Sequence, residues 1–270
     1  MKIAWATDVH LNFLTKYDRE PFYESIRQVS PDLLVLTGDI STGSKIVNDL
    51  TELSGIVPRV AFVLGNHDYY HSSIATVRSQ VRDLCAANPK LTWLSESSGI
   101  PLSETAVLIG HDGWADAGAG DLLGDFDIND FYQIQDLNTF DRNERFRRMR
   151  NLAEESVQHL SQALSEALRA HREVYLATHV PPYTDASRHE GNPSDPEALP
   201  YFCNVRLGVM LDEVMQQHPD QHLVVLCGHT HSEARVTRDN ITIITGSARY
   251  RAPRLQFSLD LAPGSVSTVT

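Results

Sequence analysis

Leu223-Val224-Val225-Leu226-Cys227 is an apolar run that ends abruptly in Gly228-His229-Thr230-His231. The run has the length and β-branched content of a buried strand, and the glycine marks the turn after it. Four other stretches repeat the form. Ile3-Ala4-Trp5-Ala6 leads into Thr7-Asp8-Val9-His10, and Asp32-Leu33-Leu34-Val35-Leu36 into Thr37-Gly38-Asp39. Val60-Ala61-Phe62-Val63-Leu64 leads into Gly65-Asn66-His67-Asp68, and Val174-Tyr175-Leu176-Ala177 into Thr178-His179-Val180-Pro181-Pro182. Each run is strand-sized and delivers polar side chains to a loop.

Between these runs the apolar spacing turns helical. It predicts helices over Arg19–Val29, with Pro21 near the start, and over Lys45–Leu53, Ile74–Ala87 and Val205–Gln217. The longest, Arg142–His171, keeps a three-to-four-residue rhythm through Met149, Leu152, Val157, Leu160, Leu164 and Leu168. Alternation of strands and helices predicts a layered α/β fold whose strands are buried on both faces. Val107–Ile109, Ile241–Thr245 and Leu255–Leu261 extend the sheets, giving two sheets face to face with helices outside. A single domain over residues 1–270 is the simplest organisation. Residues 115–141, acidic and aromatic, break the rhythm as an insertion or lid, and a second loop-rich stretch covers 181–204.

Composition narrows the function classes. The 270 residues carry 23 Lys+Arg against 35 Asp+Glu, a net charge of −12, with 41% hydrophobic residues, which is a globular and not a disordered mixture. No apolar run approaches the ~20 residues of a membrane span, and Asp8 and His10 follow too soon for a secretory leader. Cys85, Cys203 and Cys227 form no CxxC pair, which predicts reduced thiols, a cytoplasmic setting and no thiolate zinc site. Cys227 reads as core and Cys85 as an inert helix residue. The acidic balance argues against non-specific nucleic-acid binding, but bound cations would still allow an anionic substrate.

The loops collect Asp8, His10, Asp39, Asn66, His67, His179, His229 and His231. In α/β sheets ligands bind beyond the carboxyl ends of strands, where these loops fall. Imidazole and carboxylate donors without thiolate suit Mn²⁺, Fe, Zn²⁺ or Mg²⁺ and disfavour soft metals; Mn²⁺ is the ion expected here. Asp8 and His10 are two apart, as are His229 and His231, and extended backbone would put each pair on one side. Asp39, the sole carboxylate of its loop, is the natural bridge between two cations. Such a pair holds a phosphate and acidifies a bridging water, leaving His67 as the candidate proton donor.

Asp8-Val9-His10, Gly38-Asp39, Gly65-Asn66-His67-Asp68, His179 and Gly228-His229-Thr230-His231, in that order, resemble the calcineurin-like metallophosphoesterase superfamily. The resemblance implies an α/β/β/α sandwich and phosphoester hydrolysis at a dinuclear centre, by in-line attack of a bridging hydroxide. It implies Asp8, His10 and His231 on one metal, Asn66, His179 and His229 on the other, and Asp39 bridging. His67 would be the acid or phosphate contact, and Asp68 would orient it or cap the next turn. Ile40-Ser41-Thr42-Gly43-Ser44 lacks the arginine of the phosphoprotein phosphatase branch, so the broad branch fits better. A small phosphorylated substrate is the expected partner, with no membrane partner. A metal-stabilised binding scaffold and a metal-dependent nuclease are the alternatives.

Other residues invite weaker readings. His111, in Gly110-His111-Asp112-Gly113-Trp114, could be a ligand or a packed turn residue, and Trp114 reads as a core or rim aromatic. Arg249 and Arg251 could reach a phosphate or stay solvated. His71, His159, His171, His189, His218 and His222 have no partner pattern and read as surface residues.

Overall fold

The computed structural model describes residues 1–261. Its first half runs β1 (Lys2–Ala6), α1 (Lys16–Val29), β2 (Leu33–Thr37), α2 (Ile46–Ser54), β3 (Val60–Val63), α3 (Ile74–Ala87) and β4 (Leu91–Trp93). There follow β5 (Ile100–Pro101), β6 (Ala106–Gly110), α4 (Asp130–Gln133), α5 (Arg142–Leu168) and β7 (Glu173–Ala177). A short hairpin, β8 (Arg188–His189) and β9 (Asn192–Pro193), precedes α6 (Leu199–Phe202) and α7 (Val205–Gln216). β10 (His222–Cys227), β11 (Ala234–Arg238), β12 (Ile241–Thr245) and β13 (Phe257–Asp260) complete the described strands.

Two mixed sheets result. One has the order β13-β1-β2-β3-β4, the other β11-β12-β10-β7-β6-β5. β1 to β4 run parallel, as do β6, β7, β10 and β12, while β5, β11 and β13 are antiparallel edges. Register levels the parallel strands. Ala6 pairs with Leu36 and Leu36 with Phe62; in the other sheet Gly110 pairs with Ala177, which pairs with Leu226. The loops that follow therefore emerge along one rim.

Strand alternation divides the side chains between layers. Ile3, Trp5, Leu33, Val35, Ala61 and Val63 face Leu108, Tyr175, Ala177, Val224 and Leu226 in the seam between the sheets. Their neighbours Ala4, Ala6, Leu34, Leu36 and Phe62 point the other way, onto Phe22 and Ile26 of α1, Leu50 of α2 and Val77 of α3. On the second sheet Val174, Leu176, Val225 and Ile243 meet Leu160 and Leu164 of α5 and Leu207 and Leu211 of α7. This is the α/β/β/α sandwich that the sequence reading expects. No helix among the described residues is long and apolar enough to cross a membrane.

Boundaries differ in instructive places. α1 starts at Lys16, not Arg19, because Thr15 and Asp18 form a reciprocal capping box, and Pro21 lies in the second turn. α5 stops at Leu168 instead of His171, with Arg169 as its cap. Its first half packs Phe146, Met149 and Ala153 into the first helix layer's cluster, and its second half covers the other sheet. The strand expected over Leu255–Leu261 is shorter, Phe257–Asp260. β4, β5, β11 and the β8–β9 hairpin are additions to the sequence reading.

At the rim the sheets are laced by Asp112, which follows β6 and is 1% exposed. Its Oδ1 accepts from Leu64 N, Trp93 Nε1 and Ser95 Oγ, each at 2.8 Å, and its Oδ2 from Tyr69 Oη at 2.8 Å. Removing the carboxylate would leave four donors beneath the surface without an acceptor. Asp112→Ala is expected to lower unfolding free energy by about 3–5 kcal/mol in urea denaturation. A loss below about 1 kcal/mol would show that the lacing contributes little.

Candidate metal centre

The loops at the rim adopt an unusual backbone. Asp8 (φ 50°), His10 (φ 42°), Asp39 (φ 51°), His229 (φ 70°) and His231 (φ 56°) all lie in the left-handed region. The paired residues thus converge through left-handed turns and not through extended backbone, as the two-residue spacing suggests. The tight approach also requires glycine. A Cβ on Gly65 would sit 2.2 Å from Asp39 Oδ1, and one on Gly228 2.1 Å from Asp8 Oδ2.

Asp8, His10, Asp39 and His231 bring one ligand atom each to within 4.8 Å of one another, a group that could hold a metal ion. His10 Nε2 and His231 Nε2 face each other at 3.1 Å. Asp8 Oδ1 lies 3.3 Å from His231 Nε2, and Asp39 Oδ2 lies 3.7 Å from His10 Nε2. Four donors around one point fit a divalent cation.

A second group adjoins it. His179 Nε2 is 3.1 Å from Asn66 Oδ1 and 3.4 Å from Asp39 Oδ1. His179 Nδ1 donates to Thr37 O at 2.8 Å, which leaves the lone pair on Nε2, aimed at the other donors. His229 Nε2 donates to Tyr201 O at 2.9 Å, leaving its Nδ1 lone pair free, and its ring meets that of His179 at 4.9 Å. Asp39 therefore has one oxygen toward each group.

The supporting contacts come from backbone and from the insertion. Both Asp8 oxygens accept from His229 N at 3.1 Å, and Asp39 Oδ1 accepts from His67 N at 2.9 Å. Asp68 departs from its expected part. Its Oδ1 accepts from Ser41 N at 2.6 Å and its Oδ2 from Gly65 N at 2.8 Å, so it ties two loops together instead of orienting the His67 ring. Asp130, unmarked in the sequence reading, accepts from Asn66 Nδ2 at 2.8 Å and Tyr70 Oη at 2.7 Å. That bond turns the Asn66 carbonyl toward His179. The signal was present as an acid in the 115–141 insertion, but nothing in the local pattern separates Asp130 from its acidic neighbours.

Electrostatics favour a cation. Burial, with the charges of Asp8 and Asp68, pushes the Asp39 carboxyl well above its ordinary range, the mark of crowded negative charge. Burial opposes ionisation of Asp8, yet the His231 hydrogen bond and nearby imidazoles hold its carboxyl below the usual range. Burial, with the adjacent His179 imidazole, pushes His67 and His229 down to about 3, and burial with the adjacent His67 lowers His10. These imidazoles are neutral at pH 7 and so have lone pairs to give.

An open cleft of about 320 Å³ leads to the centre, lined on one side by Asp39, Asn66, His67, His229 and His231. The insertion forms a wall of it through Asp127, Ile128, Asn129 and Asp130, and His189 reaches its rim. The His67 ring stacks on Tyr70 with centroids 4.2 Å apart and meets His10 edge-on at 4.7 Å. Tyr250 packs on His10 at 4.7 Å and His231 at 5.1 Å, though the sequence reading singles out its neighbours Arg249 and Arg251. Those arginines are exposed and outside the cleft lining. His111 is buried, with Nδ1 accepting from Gly113 N at 3.1 Å and its ring 5.0 Å from His159, so it is a packed turn residue. Trp114 joins the core beside Tyr69. His159, His171, His218 and His222 are half-buried, not surface residues, whereas His71 and His189 are exposed.

No curated protein sequence matches the chain significantly. Among solved structures it is similar to a phosphopantetheinyl hydrolase from Mycobacterium tuberculosis, with TM-score 0.65 and 14% identity over 94% of this chain and 95% of that one. It is also similar to a dimetal phosphatase from Danio rerio, with TM-score 0.61 and 14% identity over 96% and 92% of the two chains. The protein TT1561 of Thermus thermophilus gives TM-score 0.54 and 14% identity over 91% and 89%. At that identity the likeness speaks for the fold. The sequence profile of calcineurin-like phosphoesterase matches residues 1–233, which carry every loop of the candidate centre. On that match the chain belongs to the calcineurin-like phosphoesterase family.

Proposed function

We propose that this chain is a dinuclear metal-dependent phosphoesterase acting on a phosphate mono- or diester. The observation that carries the reading is the position of Asp39. One oxygen lies 3.7 Å from His10 Nε2 and the other 3.4 Å from His179 Nε2, so a single carboxylate faces two histidine-bearing ligand groups. Asp8, His10 and His231 would hold one ion, Asn66, His179 and His229 the other, with Asp39 between. The nitrogen and oxygen donors suit Mn²⁺, the ion favoured here, with Fe, Zn²⁺ or Mg²⁺ as alternatives. When bound, such a pair supplies Lewis acidity for the phosphoryl oxygens and lowers the pKa of a water molecule.

The protein's own part is to orient the ester and to hold a hydrogen-bond donor at its departing oxygen. His67 Nε2 stands 3.8 Å from Asp39 Oδ2 on the cleft side, with its ring fixed by Tyr70 and His10. From there it donates a hydrogen bond to the departing oxygen of the ester. Asp130 keeps Asn66 from rotating and so fixes which amide atom faces the centre. Asp68 and the backbone of Gly65 and Ser41 hold the second and third loops in register. The binding-scaffold alternative predicts the same ligands without turnover, and the nuclease alternative predicts cleavage of DNA.

Elemental analysis of metal-loaded protein is expected to give two divalent ions per chain, and Asp39→Asn is expected to lose both together. Loss of a single ion would argue against bridging. His67→Ala is expected to cut turnover of a chromogenic phosphate ester about 100-fold with metal content retained. Unchanged turnover would remove His67 from the chemistry. Asp130→Ala is expected to weaken binding of one ion about tenfold in a metal titration, as loss of an outer partner typically does. An unaltered isotherm would mean that Asn66 holds its orientation unaided.

A further inference from the structure

Away from the proposed metal ligands the cleft presents mainly rings and carboxylates, with Ile128, Asn129, Thr230 and His189 between them. Tyr70, Tyr201, Phe202 and Tyr250 contribute rings, Asp127 and Asp130 contribute carboxylates, and among the described residues no lysine or arginine lines it. The adjoining cation is paired with one of these wall carboxylates and does not itself line the cleft. Arg145 lies 3.5 Å from Asp127, donates to Thr139 O, and its guanidinium sits over the Phe131 ring at 4.7 Å. Arg249 and Arg251 remain exposed and outside the lining. The chain as a whole carries a net charge of −12.

Sites that accept a second anionic group generally meet it with the fork of an arginine or the charge of a lysine. Here the phosphoryl group alone would find positive charge, at the metal centre. Any further anion on the leaving group would face Asp130 and the Arg145-paired Asp127 across the open cleft, while a flat apolar group would find the half-buried Phe202 and the exposed Tyr250 rings on which to stack. We propose that the cleft selects phosphoesters whose leaving group has a flat apolar face and bears no negative charge. The inference rests on the phosphoesterase reading above and narrows its substrate class. Polyphosphorylated nucleotides and acidic phosphopeptides fall outside it.

The test compares aryl phosphates of matched leaving-group acidity on the metal-loaded full chain: 4-ethylphenyl, 4-(2-aminoethyl)phenyl and 4-(carboxymethyl)phenyl phosphate. We expect the carboxymethyl ester to have a kcat/KM about tenfold below the other two, the scale of one like-charge contact in a largely solvated cleft. Raising KCl to about 0.5 M should shrink that gap, because exposed charge pairs are screened while a steric penalty is not. Asp127→Asn should shrink it as well. For the flat face, benzyl phosphate should show a KM about tenfold below that of 2-methoxyethyl phosphate. Equal kcat/KM for the three aryl esters, or a gap indifferent to both salt and Asp127→Asn, would overturn the charge selection with hydrolysis itself intact. Equal KM for the benzyl and methoxyethyl esters would overturn the stacking part. No turnover of any ester would overturn the phosphoesterase reading and this inference with it.

Discussion

Carboxylates buried at the rim must have hydrogen-bond donors, and that requirement builds the site. Each acid reaches at least one donor on a segment other than its own. Asp8 reaches the backbone of His229, Asp39 that of His67, and Asp68 those of Ser41 and Gly65. Asp112 takes Leu64 N, and Asp116 in the insertion takes Arg206 N at the start of α7 with its Oδ2 at 2.9 Å. The result is a lattice in which five connections are stapled to one another before any cation arrives. The negative charge that makes the lattice costly to bury also makes it attractive to a divalent ion.

The left-handed residues follow from the same crowding. A non-glycine residue in that region costs roughly 1–2 kcal/mol, and here five of the site's residues share it. The cost is offset by the sheets beneath, whose seam of Ile3, Trp5, Val35, Tyr175 and Leu226 is fully covered. Strain placed on the loops and stability kept in the strands are two sides of one arrangement. The ligands are held where they are needed because the backbone has few other ways to leave the strand ends.

How far the sequence could be read depended on burial. β1, β2, β3, β7 and β10 are covered on both faces, so their apolar runs stand out without alignment or context. β11 is an edge strand carrying Arg235 and Thr237, and its half-polar surface gives no such signal. The true start of α1 hides in Lys16, Tyr17 and Asp18, where exposure removes the apolar rhythm and only the Thr15–Asp18 cap remains. At the candidate centre, the residues that the structure brings together were legible because their types are rare after strands and recur in order. Asp130 and Tyr250 were not, because each acts through a three-dimensional neighbour. Asp130 matters only where Asn66 and Tyr70 meet it, and Tyr250 only where His10 and His231 lie beneath its ring.

The first strand is flanked by the last described one, Lys2 opposite Asp260, and the Asp8 carboxylate receives the amide of a residue 221 positions later. During synthesis at about 5–20 residues per second, Asp8 therefore waits roughly 10–45 seconds on the ribosome for its partner. The β1-α1-β2-α2-β3 unit, with its local crossovers, can collapse in that interval and shelter Asp8 and Asp39 side by side. The loop of His229 and His231 is made only after that interval, so the candidate centre is completed late in translation.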